Sequence, residues 1–166
     1  MHDELTKKDI ELMQQELDYR RLELRPKLIE AVKEARAFGD LSENFENKAA
    51  KQEKNRNDGR IRYLENMIKT AVVIEENSGS GVGLYDRVTV YMEEDDEKEV
   101  FQVVTTVRQD ATRGLISKES PMGKALLGCR VGERFYVQVN EKYGYWARVE
   151  AIESAEDDGS APLLRY

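Results

Sequence analysis

Histidine is almost missing from this chain: of 166 residues only His2 is one, and it stands at the N-terminus. Catalysis that passes protons through histidine, or a metal site built from several, has no material here. Cysteine is as scarce. Cys129 alone excludes an internal disulfide framework and a cysteine metal cluster, and a buried, inert thiol is the expected state. No stretch approaches the roughly 18 consecutive apolar residues of a membrane span. The opening Met1-His2-Asp3-Glu4-Leu5 lacks the basic region and apolar run of a signal peptide. A soluble, cytoplasmic monomer with no membrane partner is expected. The net charge of -7 argues against a general nucleic-acid coat, whose affinity comes from basic groups on phosphates. A local basic patch remains compatible with it.

What the chain does have is charge. Charged residues make up 36% and hydrophobic ones 40%, against a usual charged share of about a quarter. A long two-helix element fits that balance, because each helix buries only one stripe. Residues 1–76 carry 15 basic and 17 acidic side chains, so this half is close to neutral. It contains one proline, Pro26, and little turn chemistry except at 39–44. Thr6 and Asp9 form a weak capping box at a helix start. Ile10, Leu17, Leu24, Ala31 and Phe38 then recur every seven residues, with Met13, Leu28 and Ala35 on a neighbouring track. That is the seam of a coiled coil, which Pro26 should bend or loosen. A second helix reads from about Ser42 to about Val73, anchored by Ile61, Leu64, Ile68 and Ala71. Its seam between Lys51 and Arg60 is mostly polar and holds Gly59, with Asp58–Arg62 as a possible i,i+4 pair. Two helices of about 30 residues give a hairpin projecting roughly 45 Å.

Beyond a glycine/serine linker at 77–83 the period becomes that of strands. Arg87–Tyr91, Val100–Val104, Phe135–Val139 and Trp146–Ile152 alternate, and Glu93–Glu97 forms an acidic turn between the first two. Ser120-Pro121 reads as the N-cap and first residue of a short helix ending near Gly128. The aromatic residues Phe135, Tyr136, Tyr143, Tyr145 and Trp146 are expected in the core or on a sheet face. The organisation expected is therefore a hairpin over 1–76, a linker over 77–83, a small sheet domain over 84–153 and a mobile acidic tail over 154–166.

The most informative stretch is Gly39-Asp40-Leu41-Ser42-Glu43-Asn44, which separates the two helical segments. It admits two readings. In the first, Gly39 takes the left-handed position that ends one helix, and Asp40 caps the next with Glu43 reaching back. In the second, Asp40 and Glu43 are exposed carboxylates three residues apart. Hard oxygens of this kind suit Mg²⁺, whose octahedron is completed by other oxygens and water. A pair this small could serve only as half of a site that a partner completes. Behind it, Lys48, Lys51, Lys54, Arg56, Arg60 and Arg62 make the second helix basic. They are either a solvated face or a contact surface for a partner.

The chain resembles a known family. Arg25-Pro26, Glu34-Ala35-Arg36, Gly39 to Asn44, Ala49-Ala50 and Gly59-Arg60-Ile61 follow the order and spacing of the bacterial Gre transcript cleavage and elongation factors. So do Leu115-Ile116-Ser117, Ser120-Pro121-Met122-Gly123-Lys124-Ala125-Leu126-Leu127-Gly128 and Val131-Gly132-Glu133. The acidic turn and the tail after Glu153 are unlike the usual pattern. The resemblance implies an α+β protein: a long antiparallel coiled-coil hairpin followed by a small FKBP-like antiparallel sheet domain with one helix. It implies a factor that docks its C-terminal domain beside the secondary channel of RNA polymerase and pushes the hairpin toward the active site. There Asp40 and Glu43 would share a Mg²⁺ with the polymerase, none being bound by the factor alone, and the polymerase would cut the 3′ end of a backtracked nascent RNA. Ser120 and Pro121 fall in the polymerase-docking segment, and Lys48, Lys51 and Arg56 are candidate RNA or channel contacts. The factor is then not an enzyme but a stimulator of one. A channel binder that inhibits without promoting cleavage is the competing class, and a plain coiled-coil adaptor a third.

Overall fold

The computed structural model describes residues 3–38, 45–76 and 79–165. They fall into two compact units. One is built from residues 10–72. The other combines Glu4–Asp9 with Val73–Arg165.

In the helical unit, α1 (Lys7–Tyr19) runs through a five-residue π turn (Arg20–Leu24) into α2 (Arg25–Phe38), and α3 (Phe45–Thr70) packs against it. The π turn sits just ahead of Pro26. Proline has no N–H to donate and its ring crowds the carbonyl four residues back. A wider turn, in which the Arg25 N–H reaches the Arg20 carbonyl, absorbs the misfit. The extra residue also moves the buried stripe. Met13 and Leu17 are buried before the turn, but after it Leu28, Val32 and Ala35 are, while Ala31 faces solvent. The expected neighbouring track of Met13, Leu28 and Ala35 is thus buried, while the track through Leu17 is buried there and leaves the core by Ala31. On α3, Ile61, Leu64 and Met67 are buried, with Ile68 and Ala71 half-buried.

The polar middle of the hairpin is tied by charge. Arg20 Nε and Arg60 Nε donate to Glu16 Oε2 at 2.8 and 2.7 Å, and Arg60 Nη2 to Oε1 at 3.1 Å. Arg20 Nη1 donates to the buried Asn57 at 2.8 Å, and the Asn57 amide returns a bond to the Arg20 carbonyl inside the π turn. Asp58 pairs with Arg25 and Lys54, both at 2.9 Å, and not with the expected Arg62. Burial opposes the charge on Glu16, but hydrogen bonds from Arg60 and Arg20 outweigh it and hold the carboxyl below its usual 4.5. A lowered folded value stabilises the fold above the unfolded value and is lost as pH falls through the folded one. Glu16→Gln should therefore unfold at lower urea concentration than the wild type at pH 7, and the two should converge as pH falls below about 4.5.

The globular unit is a five-stranded sheet, β3 (Arg87–Met92), β4 (Glu97–Val104), β5 (Leu115–Ser117), β6 (Arg134–Gln138) and β7 (Gly144–Glu153), in the order β5-β4-β3-β7-β6. Two-residue strands β1 (Glu4–Leu5) and β2 (Val72–Val73) lie outside it. Three pairings are antiparallel. The sheet is thus antiparallel over β4-β3-β7-β6, as expected, and the short edge strand β5 adds to it in parallel with β4, Gln102 opposite Leu115. Two 3₁₀ turns, Thr106–Arg108 and Ala111–Arg113, carry the chain from β4 to β5. The inward positions Val88, Val90, Val103, Val137, Ala147 and Val149 are fully buried, and the short helix α4 (Pro121–Leu126) adds Leu126 to the same core. Of the aromatic group only Phe135 goes fully inward. Tyr136 and Trp146 remain 42% and 43% exposed on the opposite face, rings 5.1 Å apart.

The tail expected to be mobile packs instead. Ala161 is buried in the core cluster, and the Leu164 N–H donates to the Val107 carbonyl at 2.6 Å. At the other terminus Leu5 is fully buried and its carbonyl accepts from the Ile74 N–H at 2.8 Å. The globular unit is therefore larger than residues 84–153. Both additions also bond to the buried guanidinium of Arg108, at Asp9 and at Asp157 and Ala161.

Candidate functional site

Asp40 and Glu43 lie in Gly39–Asn44, outside the described residues. That segment joins α2 to α3, so its two carboxylates belong to the connection of the hairpin. Just behind it on α3, Lys48, Lys51 and Arg56 are exposed and unpaired among the described residues. Lys54 and Arg60 are withdrawn from the basic set by Asp58 and Glu16. Lys48 and Lys51 are close on the helix surface, while Arg56 sits about 140° around from Lys51 at about 100° per residue. The three do not form one stripe.

In the globular unit, Ser120 and Pro121 adopt the roles their order dictates. Ser120 is extended (φ −69°, ψ 157°), accepts from the Gly123 N–H at 3.0 Å and donates to the Ser117 carbonyl at 2.6 Å, and Pro121 opens α4. A serine cap followed by proline leaves few helix donors unmet. Gly123 is needed for this packing: a Cβ there would lie 2.1 Å from the Ser117 carbonyl oxygen. Backbone must move to admit it, so Gly123→Ala should lower stability by about 1–3 kcal/mol, read as a shifted urea midpoint. Cys129 is buried, its Sγ 3.2 Å from the Ala125 carbonyl, and burial pushes its thiol up to about 12. It is an inert thiol.

The chain's most concentrated buried charge was not foreseen. Arg108 is 0% exposed. Its Nη1 and Nη2 donate to Asp157 at 2.7 and 2.8 Å, its Nε to the Ala161 carbonyl at 2.5 Å, and Nη1 also to Asp9 at 3.1 Å. Asp9 keeps its capping box with Thr6 (2.9 and 3.2 Å) and accepts from Thr105 Oγ1 at 2.7 Å. One guanidinium thus clasps the first turn of α1 and the C-terminal segment to the 3₁₀ turn at 106–108. A paired, hydrogen-bonded arrangement is what a buried charge requires. Only the Thr6–Asp9 spacing signalled any of it.

Among the described residues no group of three or more histidine, cysteine or acidic side chains could hold a metal, and no helix is long and apolar enough to cross a membrane. A helical hairpin with acids at its connection, joined to a small sheet unit with a capped surface helix, defines a two-part accessory factor. Two family models cover most of the chain: the N-terminal transcription elongation factor model at residues 4–73 and the C-terminal GreA/GreB model at 77–154. The chain belongs to the GreA/GreB family of transcription elongation factors. It is 43% identical over 136 residues to transcription elongation factor GreA of Geobacillus kaustophilus, covering 81% of this chain and 86% of that one. It is 42% identical over 127 residues to GreA of Bacillus subtilis, covering 76% and 81%. Among solved structures it is similar to GreA factor homolog 1 (Gfh1) of Thermus thermophilus, at 35% identity, with 93% and 100% covered and a TM-score of 0.44.

Proposed function

We propose that this elongation factor enters the secondary channel of bacterial RNA polymerase and stimulates the polymerase's own cleavage of backtracked RNA. The observation that carries this reading is the sequence position of Asp40 and Glu43. They stand in the connection between two helices of a hairpin, in a chain matched by the family along both halves. Two carboxylates are the hard donors that Mg²⁺ takes, and two are too few to hold it tightly, so they suit a site shared with the polymerase. When bound there, the ion would supply charge stabilisation to the phosphoryl group under attack. The chain's own residues do the remainder. Asp40 and Glu43 present oxygens and orient water. Lys48 and Lys51 on one side of α3 and Arg56 on another contact the displaced RNA 3′ end or the channel wall. The segment opened by Ser120 and Pro121 docks on the polymerase. Hydrolysis belongs to the polymerase, and the factor acts as a cytoplasmic monomer.

Stalled, backtracked elongation complexes test it. With Mg²⁺ and the factor present, the RNA should shorten from its 3′ end. Unchanged RNA length with intact polymerase binding would leave a channel binder that does not promote cleavage, and the proposal would be wrong.

A further inference from the structure

Residues 162–165 lie beyond the C-terminal family match, which ends at 154, yet they are fixed in place. Arg108 holds the segment at Asp157 and Ala161, and Val107 holds Leu164. So held, residues 162–165 stand across a groove of about 600 Å³ from β5 and from Ser120. β5 is an edge strand of the sheet. The aliphatic lining comes from Leu115 and Ile116 on one side and Leu163 and Leu164 on the other, with Asp110 and Arg165 as its charged groups. Leu163 and Leu164 are each half-buried, so part of their apolar surface is still open to a partner.

We infer that this groove is part of the polymerase-docking surface, with residues 162–165 as its second wall, and that it receives apolar side chains from a segment of RNA polymerase. The inference rests on the docking role proposed above for the Ser120–Pro121 segment. Three features favour a protein segment as the occupant. The groove is continuous with Ser120, the N-cap of the helix assigned to docking. Its described lining is rich in aliphatic side chains from two separate segments, Leu115 and Ile116 with Leu163 and Leu164, which suits the apolar side chains of a protein segment. The wall is preorganised, because the clasp on Arg108 holds it before any partner arrives, and binding then costs little ordering of the segment. The family match includes the β5 and Ser120 side and ends before residues 162–165.

Leu163→Asp is the direct test, since it sets an unpaired charge in the aliphatic wall. The full-length protein is titrated against RNA polymerase, and both binding and RNA shortening are followed in backtracked complexes. The half-saturating concentration should rise about tenfold or more. The cleavage rate at saturation should stay unchanged, because Asp40 and Glu43 are untouched. Leu163→Ser, which adds no charge, should raise it by a smaller factor and serves as the second variant if the aspartate lowers the melting temperature. If wild type neither binds polymerase nor shortens RNA, the docking reading fails and the groove with it. If wild type does both and the Leu163 variants match its half-saturation, the groove inference alone is overturned. Tighter binding by the variants would also overturn it, because the segment would then be a cover over the surface and not a wall of it.

Discussion

Asp40→Asn should abolish stimulated RNA cleavage while leaving the fold intact. Asparagine caps a helix about as well as aspartate, so any structural duty at the start of the second helix is preserved. What disappears is one negative charge and one hard oxygen of a pair that has only two. Charge stabilisation in a two-metal phosphoryl site amounts to several kcal/mol, so the rate should fall about a hundredfold or more. The measurement is the time course of RNA shortening at saturating factor, beside a thermal melt of the free protein. Glu43→Gln should behave alike. If Asp40→Asn instead costs stability in proportion to activity, the lost cleavage follows from the lost fold and the metal reading fails. Equal cleavage by wild type and variant would sink it as well.

The largest effect on stability should come from Arg108→Met. The guanidinium is fully buried, with Asp9 and Asp157 as its partners, and it lies 5.4 Å from the centre of the Tyr85 ring. Methionine fills much of the volume but leaves two buried carboxylates facing each other without a cation. Removing one member of a buried ion pair typically costs about 3–5 kcal/mol, mainly because the remaining charge is uncompensated. Urea unfolding of the full chain should show a loss of that size. The segment after Glu153 should also become a site of proteolysis, since two of its ties, at Asp157 and Ala161, run to this one side chain. A loss below about 1 kcal/mol would mean that the clasp contributes little and that the C-terminal segment is held by Ala161 and Leu164 alone.

These two residues differ in how far the sequence exposes them. Asp40 and Glu43 are proposed from order and spacing, because a short acidic interruption between two apolar-periodic segments is a local signal. The same is true of the Thr6–Asp9 box, the Ser120-Pro121 helix start and the alternating strands, all of which depend on neighbours within a few positions. Arg108 is found by nothing local. Its partners are 99 and 49 residues away, and an arginine in a short Thr-Val-Arg turn carries no sign that it will be buried. β5 fails for another reason: three residues are too few to show a period of two, and its parallel pairing is set by the turns that precede it. The phase of the hairpin seam fails because a proline's effect spreads back into the turn before it. Of the expected seam residues Met13, Leu17, Leu28 and Ala35 are buried, and Ala31 gives way to Val32.

The sequence by itself settles the division into a helical and a sheet part, the family, the acidic pair at the hairpin connection and the cap of α4. Each of these is written in short-range order, where propensity and periodicity act. The tertiary structure alone decides that Glu16 and Asn57 bind the middle of the hairpin, and that β5 turns the sheet mixed. It also decides that an acidic, glycine-containing tail becomes a fixed wall. The physical reason is the same in each case: a buried charge or an unpaired strand must find its complement wherever the folded chain brings one, and that distance is not written in the neighbouring residues.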